Sequence, residues 1–286
     1  MQFNSIYIGR IVGFITLGLL VTACASEKQE GESLSSTEAE VKETITIGTS
    51  PGPYSELFLT AVKPILENDG YIVDQVAFDA LLQADIALND GDIDFNVDQH
   101  TAYLNNFNEN SDGHLAGLIS IPTVPAGIFG GRKASLEEVE EGDVIAIPQD
   151  PSNMARALLI LQKADWITLD PDVALIEATP SDIIENKWNL TINELESAQI
   201  PRSLSDVDYA VIPGSIVYSA DIPAEDSLLS EDILENYELV VTVHEKNVET
   251  DWAKAIIAAY QSDEFATYLE KENKNNYWFI PEDLKK

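Results

Sequence analysis

From Thr44 onward the chain repeats one succession of patterns. Thr44-Ile45-Thr46-Ile47-Gly48 alternates apolar and polar residues in the manner of a strand. Glu56 to Asn68 then places Leu57, Phe58, Ala61, Val62, Ile65 and Leu66 at helical spacing, and Asp69-Gly70 stops the run. Tyr71 to Phe78 predicts a second strand, Leu81 to Leu88 a second helix closed by Asn89-Asp90-Gly91, and Ile93 to Val97 a third strand. The order returns with Val144-Ile145-Ala146-Ile147, a helix over Asn153 to Ala164, a strand over Val173 to Ala178, and Tyr209-Ala210-Val211-Ile212 followed by a turn. Such alternation argues for an α/β protein with parallel sheets flanked by helices. Two separate series predict two lobes, the chain passing between them near Ile121 to Pro125 and back near Asp221. Helices at about Asp251 to Gln261 and Phe265 to Asn273 come too late for the second series and are expected to return to the first lobe. The chain has no internal repeat.

The N-terminal stretch breaks this pattern. Residues 11 to 23, IVGFITLGLLVTA, form an uncharged run of 13 behind a segment whose only charge is Arg10. A bilayer span needs about 20 apolar residues, so the run has the proportions of a signal-peptide core. It ends in Val21-Thr22-Ala23-Cys24, which resembles a bacterial lipobox, with the Cys24 thiol as the lipidation site. Cys24 is the only cysteine, which excludes an intramolecular disulfide framework, a Cys-rich zinc site and a CxxC redox pair. Residues 25 to 43, ASEKQEGESLSSTEAEVKE, hold no aromatic and almost no large aliphatic residue, so a flexible tether is expected there. A lipid anchor, a tether and a soluble body describe a protein held on the extracytoplasmic face of the cell membrane.

Charge narrows the partners. Against 16 basic residues stand 50 acidic ones, a net charge of −34. That field repels phosphate polymers and offers few Lys/Arg contacts for counterion release, so nucleic acid is excluded as a partner. With 45% apolar residues the chain buries a real core, and the acidity belongs to its solvated shell.

Two stretches carry candidate chemistry. In Ile147 to Leu159 (IPQDPSNMARALL) a strand ends, Asp-Pro-Ser-Asn turns and caps, and an apolar helix begins, with Asn153 and Arg156 three apart on one face of its first turn. Free N–H groups, the helix dipole and a guanidinium fork converge there, which reads as a carboxylate receptor or as an ordinary capped helix with a surface arginine. Asp90 to His100 (DGDIDFNVDQH) sets acidic or amide residues at every second position. It fails as a calcium loop, because Phe95 stands where Gly is needed and Thr101 where a bidentate Glu should be. A half-buried strand fits better, and no metal is expected. There is no GxSxG, P-loop, HExxH or GxGxxG, so neither an enzyme nor a cofactor is expected. An extracellular hydrolase using His100 as base is a distant alternative.

Taken together, Gly48-Thr49-Ser50-Pro51-Gly52-Pro53, LNDGDID over Leu88 to Asp94, Gln99-His100 with Tyr103-Leu104, AIPQDPSNMARALL over Ala146 to Leu159, ELESAQIPRSL over Glu194 to Leu204 and Ala210-Val211-Ile212 resemble the NlpA family of lipoproteins, which includes methionine-binding proteins of an ABC importer. The resemblance implies a type II periplasmic-binding-protein fold, α/β, with two lobes, each a mostly parallel sheet flanked by helices, and the ligand in the cleft. It implies a signal peptide over 1–23, a tether over 24–43, a first lobe over 44–122, a second over 123–222, and a return to the first over 223–286. The family's ligand contacts fall on His100, Tyr103, Asn153 and Arg156, with Arg156 taking the α-carboxylate. Three positions depart from the methionine binders: Leu81 where they have a tyrosine, Asp98 where they stack an aromatic, and Ser215 where an asparagine holds the ligand. A carboxylate at Asp98 predicts a ligand that brings it a donor, a polar or cationic amino acid or short peptide. The implied partners are that ligand, a permease with its ATPase, and the membrane through the anchor, the body being a monomer. A surface lipoprotein of the same fold acting as an adhesin is the alternative.

Overall fold

Strand β1 (Thr44–Thr49) leads into a helical segment made of α1 (Pro53–Leu57), one π turn (Phe58–Val62) and α2 (Lys63–Asn68). Pro64 explains the π turn: it has no N–H to give and its ring crowds the carbonyl of the preceding turn, so the ladder widens there. Strand β2 (Ile72–Ala77), helix α3 (Leu81–Asp90), strand β3 (Phe95–His100), helix α4 (Thr101–Ser111) and strand β4 (Leu115–Ile121) follow. Gly91 ends α3 in the left-handed region at φ 83°, which glycine adopts without strain. The computed structural model describes residues 42–273 and 277–285, all within one compact unit. The signal run, Cys24 and nearly all of the tether lie outside the described residues. The tether expected to Glu43 ends earlier, because Lys42 N–H donates to Gly70 O and Ile72 N–H to Glu43 O, both at 2.9 Å.

The chain then crosses to a second sheet through residues 122–126. It forms β5 (Gly127–Gly130), β6 (Val144–Pro148), α5 (Pro151–Lys163), the antiparallel pair β7 (Ile167–Leu169) and β8 (Ile183–Asn186), β9 (Thr191–Leu195), α6 (Ile200–Ser203), β10 (Tyr209–Ile212), α7 (Gly214–Ser219) and β11 (Ser227–Ser230). It returns with β12 (Leu239–His244), α8 (Asp251–Tyr260) and α9 (Asp263–Glu272). The first sheet has the order β2-β1-β3-β12-β4 and the second β11-β5-β10-β6-β9. In each, three neighbouring strands run parallel, and antiparallel strands complete a mixed sheet. This is the two-lobe α/β arrangement. The return expected near Asp221 comes later, after Ser230, because β11 pairs with β5 in the second sheet. The strand expected over Val173 to Ala178 is instead a loop holding one 3-10 turn, Leu175–Glu177.

The late helices do pack on the first lobe: Trp252, Ile256, Tyr260 and Phe265 share a core with Ile45, Ile47, Phe58, Phe95 and Val241. The second core gathers Ile145, Ile147, Leu158, Leu161, Trp166 and Tyr209. Strand β3 differs most from expectation. It starts two residues later than predicted and, lying between β1 and β12, is buried on both faces. Its pairing with β12 slips between Val240 and Thr242, so two residues of β3, Val97 and Asp98, oppose Val241 alone. The bulge puts Asn96 and Gln99 on one face, where both amides donate to the fully buried Asp85 of α3. Asp85 Oδ2, Gln99 Oε1 and the neighbouring Thr242 Oγ1 have no hydrogen-bond partner among the described residues. Burial pushes the Asp85 carboxyl up to about 7.

Candidate functional site

The carboxyl ends of parallel strands carry the candidate residues. β3 ends in His100 and passes straight into α4, β6 passes through Gln149-Asp150 into α5, and β10 passes through Pro213 into α7. Crevices beyond such strand ends are where open α/β sheets bind ligands.

His100 caps α4: its Nδ1 accepts the Tyr103 N–H at 3.1 Å, which leaves the ring proton on Nε2. That nitrogen donates to Asn153 Oδ1 in the other lobe at 3.2 Å. Asn153 is itself aimed from its own lobe, since its backbone N–H and Nδ2 both donate to Asp150 Oδ1 at 3.0 Å. Burial first, and the charge of Arg156 second, push the His100 imidazole down to about 3. The ring is therefore neutral and both nitrogens are engaged, which suits positioning and removes the ground for His100 as a hydrolytic base. Tyr103 stands one turn along α4, its ring edge-on to the imidazole with centroids 6.3 Å apart.

Arg156, 4% exposed, is gripped at two atoms. Its Nε donates to Glu231 Oε2 at 2.8 Å and its Nη2 to Glu231 Oε1. Glu231 lies in the returning crossing segment and its Oε1 also accepts the Ala126 N–H at 2.7 Å. The Tyr237 ring packs against the guanidinium at 5.3 Å and edge-on to His100, also with centroids 5.3 Å apart. The open carboxylate receptor expected from the sequence is thus met by this chain's own acids, Asp150 at the helix start and Glu231 at the fork. The reason is energetic: a buried guanidinium without an anion costs several kcal/mol. Arg156 Nη1 has no hydrogen-bond partner among the described residues.

Asp98 also departs from expectation. Its carboxylate accepts from Ser50 N at 2.9 Å, Ser50 Oγ at 3.0 Å, Ser55 N at 3.1 Å and Ser55 Oγ at 2.6 Å. Burial still holds the carboxyl above its usual range, with the four donors working the other way. Asp98 organises the loop between β1 and α1, so the need for a ligand to bring it a donor disappears. Ser215, half-buried at the start of α7, lies 3.6 Å from where a Cβ on Gly52 would stand, facing that loop across the cleft. Gly214 beside it touches the crossing segment: a Cβ there would meet Val124 O at 2.6 Å and Pro125 O at 2.8 Å. Leu81 opens α3 at partial burial, and no described interaction ties it to His100 or Arg156.

The structure therefore brings His100, Tyr103, Asn153 and Arg156 together. It adds Glu231 and Tyr237, which sequence reasoning missed because they lie 75 and 81 residues beyond Arg156 in a stretch without a motif. A second link crosses the cleft, from Tyr218 O–H of α7 to the Glu56 carboxylate of α1. It borders a cavity of about 630 Å³ lined by Gly52, Asp221 and Tyr277 among others. Among the described residues no cluster of three His, Cys, Asp or Glu could hold a metal ion, and no helix is long and apolar enough to cross a membrane.

Comparison with known proteins places this geometry. The chain is 34% identical over 223 residues to the D-methionine-binding lipoprotein MetQ of Escherichia coli, covering 77% of this chain and 82% of that protein. It is 33% identical over 233 residues to outer membrane lipoprotein 3 of Mannheimia haemolytica, covering 81% and 88%. A nutrient-binding protein from Burkholderia cenocepacia, solved bound to methionine, superposes with a TM-score of 0.76 at 33% identity, over 82% of this chain and 99% of that one. The E. coli protein is named for binding D-methionine, and the Burkholderia protein is a nutrient-binding protein. The family model for NlpA lipoproteins matches residues 45–281, and the chain belongs to that family.

Proposed function

We propose that the protein is the lipid-anchored, extracytoplasmic substrate-binding component of an ABC importer, taking an amino acid with a free carboxylate and delivering it to a membrane permease. One observation carries this reading: His100 and Tyr103 of one lobe meet Asn153 and Arg156 of the other at the ends of parallel strands, with a direct His100–Asn153 hydrogen bond across the cleft. Two lobes joined through such groups suit a small polar headgroup that both must contact. With Asp98 satisfied inside the protein, its carboxylate no longer calls for a cationic side chain on the ligand. Methionine, which E. coli MetQ and the Burkholderia protein are named for or solved with, becomes the first ligand to test.

The experiment is a thermal-shift screen of the mature body against the amino acids, D-methionine included, followed by calorimetry of each hit. A ligand that binds only the native state raises its melting temperature by mass action. A saturable shift with an amino acid, lost for its amide, supports the proposal. No shift across the panel at millimolar ligand overturns it and favours the adhesin reading.

A further inference from the structure

Tyr237 is 1% exposed, yet its hydroxyl has no hydrogen-bond partner among the described residues. A buried hydroxyl without a partner costs about 1–3 kcal/mol, so such a group calls for a reason. The residue belongs to the segment that returns from the second lobe, just ahead of β12. Its ring is wedged between His100 and Arg156, two residues of the proposed cleft. Its oxygen feels the charges of Arg156, Glu231 and Asp150, all of which surround the start of α5. Beside it Arg156 keeps one guanidinium nitrogen, Nη1, out of the pairing with Glu231. A buried O–H donor and the Nη1 edge of the neighbouring guanidinium are therefore left over, and no acceptor among the described residues answers them.

We propose that the Tyr237 hydroxyl is a ligand-binding group that donates to the carboxylate of the bound amino acid, which it shares with the Nη1 edge of Arg156. This rests on the importer reading above and deepens it. Glu231 then sets the orientation of the guanidinium, and Tyr237 with Nη1 reads the ligand. The arrangement selects a free acid over an ester or amide, because only the carboxylate brings a negative charge to the guanidinium edge and two equivalent oxygens, one for each donor. The neutral donor also keeps working across the pH range, since burial pushes the phenol above its ordinary value.

The test is calorimetry on wild type, Tyr237→Phe and Tyr260→Phe, using the amino acid that shifts wild type most in the screen and its methyl ester. Tyr260 is the control, because its hydroxyl is also buried without a partner among the described residues but lies in the core of the first lobe with Phe58 and Phe265. Both variants should melt at or above wild type, since each loses an unpaired buried hydroxyl. Tyr237→Phe should bind the free acid about tenfold to a hundredfold more weakly and the ester unchanged, whereas Tyr260→Phe should bind both as wild type does. If wild type binds and Tyr237→Phe binds the acid within twofold of it, the proposal fails and the importer reading stands. If Tyr237→Phe melts several degrees lower, the hydroxyl is held by a structural water and the proposal fails equally. If wild type binds no amino acid, both readings fall.

Discussion

Glu231 joins Arg156 of α5 to Ala126 of the outgoing crossing segment, taking two guanidinium donors and one backbone N–H on a single carboxylate. Backbone reinforces the junction, since Glu231 N–H donates to Ala126 O at 3.0 Å. Farther along, Thr123 exchanges two backbone hydrogen bonds with Phe279 and its Oγ1 accepts the Leu239 N–H at 2.9 Å. The two segments between the lobes are thus fastened to each other, and Arg156 is fastened to both.

Breaking this junction should cost more than removing it. With side chains 4% and 5% exposed, Arg156→Ala and Glu231→Ala each leave a charge buried alone and should each destabilise by about 3–5 kcal/mol. The double variant Arg156→Ala with Glu231→Ala should lose much less than the sum, and urea unfolding of the four proteins measures the coupling. Arg156→Lys should recover little, because an ammonium cannot reproduce the fork. Additive losses would show that the pair is not coupled.

Asp98→Asn should unsettle the loop between β1 and α1. The amide turns a donor toward Ser50 and Ser55, which already donate, so a loss of about 2 kcal/mol or more is expected on urea unfolding. Affinity for basic amino acids relative to methionine should not change, which competition calorimetry reads directly. A selective loss of basic ligands would return Asp98 to the pocket.

Two buried groups give pH dependences of opposite sign. Asp85, at about 7 in the native state and near 3.9 unfolded, holds its proton in the native state only, so its contribution falls by about 1.4 kcal/mol per pH unit between roughly pH 4 and 7. His100, at about 3 in the native state and near 6.5 unfolded, binds its proton in the unfolded state only, so its contribution rises by a similar slope from roughly pH 3 to 6.5. The two nearly cancel in wild type. Asp85→Asn removes the falling part, and its stability relative to wild type should climb steadily from pH 4 to 7. A pH-independent difference would mean that Asp85 titrates near its ordinary value.

Cys24→Ser should leave the body unattached without altering its ligand affinity, because Cys24 is the chain's single cysteine and stands 20 residues ahead of the first strand at Thr44. Membrane fractionation tests it: the variant should move from the pellet to the soluble fraction. Firm retention in the pellet would mark residues 11 to 23 as an uncleaved membrane segment.

Sequence pattern revealed β1, β6, β10 and the late helices because each has one clear apolar face or a short apolar run between turn signals. It misplaced β3 because burial on both faces erases alternation and the bulge at Val97-Asp98 shifts what remains. It turned Val173 to Ala178 into a strand because apolar spacing outweighed the nearby Pro171 and Pro180, which hold that stretch as loop and 3-10 turns. Asn153 and Arg156 were legible because one helix turn fixes their relation. Glu231 and Tyr237 were not, since only the returning crossing segment brings them alongside. Asp98 is misread for another reason: the sequence shows its position in the strand but not its four donors, which come from Ser50 and Ser55, far away in sequence.

The strand order also dictates a sequence of assembly. β12 sits inside the first sheet, between β3 and β4, but is made after every strand of the second. A chain emerging N-terminus first therefore has all strands of the second lobe by Ser230, while the first still lacks an interior strand and the helices α8 and α9 that complete its core. Until then the edges of β3 and β4 that β12 will join are exposed to solvent or to a stray partner, which makes the interval between Ser230 and His244 the vulnerable moment of biogenesis.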